Sequence, residues 1–83
     1  MYTVVIEKQA KKQLEKISPP NYESIVEALL ALANNPRPYG YKKLKGRQGY
    51  RVRVGDYRIV YNIVDNILTI YVLLIGHRRE VYE

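Results

Sequence analysis

Cysteine, phenylalanine and tryptophan are absent from this chain, and His77 is its single histidine. Without cysteine there is no disulfide framework and no thiolate metal site. One histidine cannot build a His-rich metal cluster either, so neither a metal nor another cofactor is expected. Apolar runs such as ILTIYVLLIG are too short to span a bilayer. The N-terminus also lacks the charged-then-apolar design of a signal peptide. The expectation is a soluble cytoplasmic protein with no membrane partner.

What is present is one small domain, residues 1–83, able to bury roughly 60% of the surface its unfolded chain exposes. The formal charge is +6. That is the footprint of a nucleic-acid binder or of a protein held beside an acidic partner, although ordinary surface lysine would give the same total. Distribution separates the two readings. Ten of the fourteen basic residues lie between Leu32 and Glu80, against only three of the eight acids. Nine tyrosines are the only aromatic residues besides His77. Tyrosine can stack on a base and still hydrogen-bond, but Tyr57 and Tyr61 read as core.

YTVVIE (residues 2–7) reads as a strand. KQAKKQLEKI follows with Ala10, Leu14 and Ile17 at helical spacing. Ser18 is placed as an N-cap and Pro19 as the first residue of a second helix, whose stripe is Ile25, Ala28, Leu29, Leu32 and Ala33. The two helices form a hairpin with one apolar seam, expected as a lid on a sheet. Residues 36–49 lack periodicity and are rich in Gly, Pro and positive charge, so they read as a loop.

GYRVRVGDYRIVY (residues 49–61) reads as two strands around a Gly55-Asp56 turn. That register opposes Arg53 to Arg58 and Val52 to Ile59. Side chains alternate between faces, so Tyr50, Val52, Val54, Tyr57, Ile59 and Tyr61 share one face and Arg51, Arg53 and Arg58 the other. A second two-residue turn at Asp65-Asn66 is expected to put Leu68, Ile70, Val72 and Leu74 on the tyrosine face, with Leu73 opposite Arg58. The fold class is α+β: an N-terminal strand, a two-helix hairpin, then a three-stranded antiparallel meander. The helices cover one sheet face and the basic face is open. Directly opposed like charges weaken a cross-strand pair, so Arg53 against Arg58 points to an anionic ligand.

KKLKGRQGYRVRVGDYRIVYNI followed by IGHRREVY resembles the RelE/ParE toxin superfamily of toxin–antitoxin systems, over nearly the whole chain. The superfamily holds two functional classes. RelE-type members are ribosome-dependent endoribonucleases that cut mRNA in the A site, whereas ParE-type members inhibit DNA gyrase without catalysis. The resemblance implies the RelE type, a metal-independent mRNA interferase that inhibits translation. An inactive RNA- or antitoxin-binding module is a third reading. Carried over by position, Lys45 and Arg51 match residues that contact RNA and ribosome, and Arg53 and Arg58 match the phosphate-stabilising centre. Arg78 matches an arginine near the leaving group, and Tyr82 a tyrosine that orients or activates the attacking group. Lys43, Arg47, His77 and Arg79 complete the expected RNA-binding set. The implied partners are mRNA, the ribosome with its 16S rRNA, and a cognate antitoxin, in a heterotetrameric complex that binds operator DNA through the antitoxin.

The implied reaction is attack of a 2′-hydroxyl on the neighbouring phosphate, giving a 2′,3′-cyclic phosphate and a 5′-hydroxyl. Its phosphorane carries extra negative charge, which a preformed guanidinium cluster stabilises more than the ground state. Better-studied relatives have lysines where this chain has Arg51 and Arg53. Arginine effectively cannot deprotonate, so a lysine-type base is not available there, and Tyr82 and His77 are the candidates for proton transfer.

Overall fold

The computed structural model describes residues 1–77 and Arg79. Seven main elements follow one another: β1 (Thr3–Ile6), α1 (Lys8–Glu15), α2 (Asn21–Asn34), β2 (Lys42–Lys43), β3 (Tyr50–Val54), β4 (Tyr57–Val64) and β5 (Thr69–His77). The strands form one sheet in the order β1-β5-β4-β3-β2. The α+β reading, with a strand, two helices and a β3–β4–β5 meander, is the observed architecture. β1 lies outside the meander, parallel to β5 in a register that runs from Thr3 opposite Thr69 to Ile6 opposite Val72.

The helices bury one stripe each because apolar residues recur three and four apart. Ala10 and Leu14 of α1, with Ile25, Leu29 and Leu32 of α2, pack on Ile59, Tyr61, Ile70, Val72 and Ile75 of the sheet. Burying such side chains stabilises by about 1.5–3 kcal/mol each. Most of the fold's driving force therefore sits on this one sheet face.

Four local expectations are corrected. The second helix starts at Asn21, with Pro20 and not Ser18 at its N-cap and no side-chain cap. The Pro20 carbonyl already accepts the Ser24 amide at 3.3 Å, which leaves both prolines ahead of the helix. The loop of residues 36–49 contains β2, two residues paired antiparallel with β3. The β4–β5 connection is a 3-10 turn, Asp65–Ile67, followed by Leu68 in the left-handed region at φ 49°. Leu68 is thereby turned out to solvent, 52% exposed. Finally, Tyr61 pairs with Val72 but Val60 pairs with Leu74, so Leu73 is an extra residue in β5. Such a bulge reverses the alternation beyond it. Ile75 consequently faces the core opposite Ile59, Leu74 lies on the arginine face opposite Val60, and Gly76 rather than Leu73 stands opposite Arg58.

Beside that turn the Tyr2 hydroxyl donates to Asp65 Oδ1 at 2.6 Å, and Arg37 Nη2 donates to Oδ2 at 2.9 Å. Arg37 first and Tyr2 second hold the Asp65 carboxyl below the usual carboxylate range. A depressed folded-state pKa contributes stability above the unfolded value of about 3.9 and loses it as pH falls through the folded value. The urea midpoint of the wild type is therefore expected to exceed that of Asp65→Asn at pH 7, and the gap to close in acid. The groups are exposed and solvent-screened, so the gap is small. A gap independent of pH would remove the charge from this account.

Candidate functional site

The face of the sheet opposite the helices carries the basic residues. The β3–β4 register places Arg53 directly across from Arg58 and Arg51 across from Val60, as the Gly55-Asp56 turn dictates. Gly55 supplies the required positive φ of 60°. On the far side Gly76 of β5 stands opposite Arg58, so that position contributes no side chain above the guanidinium. Arg53 is exposed and Arg58 half-buried. Arg51, Arg53 and Arg58 thus form a cationic strip on the hairpin.

Arg51 is not a solvated edge residue. It is only 5% exposed. The loop of residues 44–49 is closed by the Leu44 amide donating to the Gly49 carbonyl at 2.9 Å. Leu44 packs with Val60, Leu73 and Leu74 in a small apolar cluster of its own, so this face is partly covered and partly apolar. Gly49 is required there, because a Cβ would meet the Tyr61 carbonyl oxygen at 3.2 Å and Leu44 at 3.3 Å on a backbone at φ +127°.

The other expected site residues fall in different places. Lys45 and Arg47 are exposed on the 44–49 loop. Lys43 pairs with Tyr50 and so lies on the tyrosine side of β2, while Lys42 pairs with Arg51 and shares the arginine face. Lys42 is thus a site candidate that the sequence reading missed. The signal was the alternation carried back from Arg51, hidden because β2 is too short to show a period. His77 pairs with Tyr57 and lies on the helix side, its ring edge-on to Tyr57 with centroids 5.6 Å apart. Its Nδ1 accepts the amide of exposed Arg79 at 3.3 Å. Arg78 and Tyr82 lie outside the described residues.

Residues 4–82 match the family described as "ParE toxin of type II toxin-antitoxin system, parDE". The chain is 31% identical to the putative toxin RelE1 of Methanocaldococcus jannaschii over 99% of its length and 96% of that protein. It is equally 31% identical to the toxin RelG of Mycobacterium tuberculosis, over 99% and 97% of the two chains. Among solved structures it is similar to a chain of the archaeal RelE–RelB complex of Pyrococcus horikoshii OT3. There the TM-score is 0.83 at 30% identity, with 96% of this chain and 98% of that one covered. With a family match across nearly its whole length and relatives aligned end to end, the chain belongs to the RelE/ParE superfamily of type II toxin–antitoxin toxins.

Proposed function

We propose that this toxin is an endoribonuclease that cuts mRNA in the ribosomal A site, in the cytoplasm, by attack of the 2′-hydroxyl on the adjacent phosphate. The observation that carries the reading is Arg53 directly opposite Arg58 on the face away from α1 and α2, with buried Arg51 beside them. Two guanidinium groups on one patch form a ready-made anion site, and their forks match phosphate oxygens in geometry. A phosphorane, with more charge than the ground state, gains most from that cluster. His77 sits on the opposite sheet face from these arginines, which favours Tyr82 for proton transfer. Arg78 would serve the leaving group, and Lys42, Lys45 and Arg47 would hold flanking RNA. The basic face also suits an acidic antitoxin, and the related Pyrococcus horikoshii structure is a RelE–RelB complex.

With lysine-type base catalysis unavailable at positions 51 and 53, the ribosome supplies alignment, a contribution of ~7–11 kcal/mol when geometry is good. Purified toxin is expected to cut mRNA on programmed ribosomes and leave naked mRNA nearly intact, with 2′,3′-cyclic phosphate and 5′-hydroxyl ends. Efficient cutting of naked RNA, or 5′-phosphate ends, would sink the mechanism. The matching family's description as a ParE toxin favours one second reading, a non-catalytic inhibitor of gyrase. No cutting in either setting, together with gyrase-dependent DNA damage in cells, would select it.

A further inference from the structure

We infer that the shallow depression beside the arginine strip is a nucleobase-reading subsite, with Leu73 and Leu74 as its floor and Glu7 as its reading group. The inference rests on the RNA-cleaving reading and deepens it. Among the described residues the depression is lined by Leu73, Leu74, Glu7, Gln9, Arg47 and Gln48, and encloses about 470 Å³, ample for a base and its sugar.

Its floor follows from the β5 bulge. Regular alternation would send one of two consecutive leucines to each face. The extra residue at Leu73 instead lets both leucines pack against Leu44 and Val60 on the arginine face. Bulges of this kind re-aim side chains next to active sites. The product here is a half-buried apolar platform. A base is a flat apolar plate with a polar rim, and proteins that read single-stranded RNA offer it a platform plus groups at its edge.

The rim differs from the rest of the face. Gln9 and Gln48 are uncharged amides and Glu7 is an acid, on a surface otherwise dominated by cations. Glu7 occupies the N-cap position of α1 and makes no side-chain capping bond there. Its backbone is fixed at both ends: the amide donates to the Val72 carbonyl at 2.9 Å, and the carbonyl accepts the Lys11 amide at 2.9 Å. The carboxylate is thus mounted on a rigid corner at the edge of an apolar plate. A carboxylate accepts N–H groups, as guanine's N1–H and N2 amino edge or cytosine's N4 amino group present them. Uracil, with one N–H between two carbonyls, fits it poorly. Val60 and Leu74 face each other two residues along from Arg58 and Gly76, a step of ~7 Å along the strands. That spacing lets Arg58 hold the phosphate of the nucleotide whose base lies on the leucines.

The test is independent of cleavage. With methyl-labelled full-length toxin, GMP and CMP are expected to shift the Leu73 and Leu74 methyl signals at lower concentration than UMP. Inorganic phosphate should move signals near Arg53 and Arg58 and leave those methyls unchanged. Glu7→Gln is expected to weaken GMP or CMP binding about tenfold, the scale of one lost edge contact, with UMP unaffected. Gln9→Ala should keep the preference for GMP and CMP, since Glu7 remains. Leucine methyls that ignore every nucleotide, or a Glu7→Gln variant with wild-type GMP and CMP binding, would overturn the subsite. A positive titration in a protein that cuts nothing on ribosomes would retain the subsite and reject the cleavage reading.

Discussion

Arg58→Ala is expected to slow single-turnover cleavage on programmed ribosomes by about 100- to 1,000-fold, the loss seen when one preorganised donor to a transition-state oxygen is removed. The protein should stay folded. Arg58 stands opposite Arg53 and Gly76, on the face away from the helix-covered core, so truncating it removes no core packing. A melting temperature close to that of the wild type should accompany the lost activity. Arg53→Ala is expected to behave alike. The double variant should lose less than the product of the single effects, because groups acting on one phosphate act as a unit. If both single variants melt normally and cut at the wild-type rate, the phosphate site is not here.

The largest effect on stability is expected at Tyr61. It is fully buried, and its hydroxyl donates to the Pro36 carbonyl at 2.7 Å. Its ring lies 6.1 Å from that of Tyr50, which is itself 5.7 Å from Tyr41. Burial raises its phenol pKa well above the ordinary value, so it remains a neutral donor at any working pH. Tyr61→Ala should cost about 3–5 kcal/mol, as for other large aromatic truncations in a core. That is a large fraction of the ~5–15 kcal/mol that holds a domain together. Tyr61→Phe keeps the packing but strands the Pro36 carbonyl, for about 1–3 kcal/mol. Urea unfolding should rank the three proteins in that order. Equal midpoints for wild type and Tyr61→Phe would show that the hydroxyl bond contributes nothing. Because Pro36 begins the segment leading to β2 and the basic loop, Tyr61→Phe should also lower cleavage.

The arginine hairpin was legible in the sequence because two local rules agree on it: alternation, and a Gly-Asp turn that fixes register by itself. Arg53 against Arg58 follows from those rules alone. The tyrosine face as the core, and the helices as its cover, follow from periodicity in the same way. Past Asp65 the reading slipped for a non-local reason. A 3-10 turn and a bulge at Leu73 both alter parity, and neither has a compositional mark in ILTIYVLLIG. Alternation alone therefore puts Leu74 on the tyrosine face and Leu73 opposite Arg58, where Gly76 stands, and the side of the sheet that His77 occupies could not be read either. Burial of Arg51 was hidden for another reason: it depends on contacts between distant segments, which no periodicity encodes. The family resemblance supplied roles for Arg78 and Tyr82, which local physics does not.

The position of β1 has a consequence for how the toxin comes into being. Thr3 pairs with Thr69, and the β1–β5 pairing ends at Ile6 and Val72, so everything from β1 through β4 must be synthesised before that first strand finds a partner. Pairing between such distant segments is slow, because loop closure must precede the contacts that reward it. Until β5 is available, the side chains of β1 and α1 have no sheet to cover, and β4 lacks its inner neighbour. The arginine hairpin can form early, but the sheet that flanks it waits for β5. A chain of this topology closes its sheet only after β5 has left the ribosome, however early its helices and hairpin form.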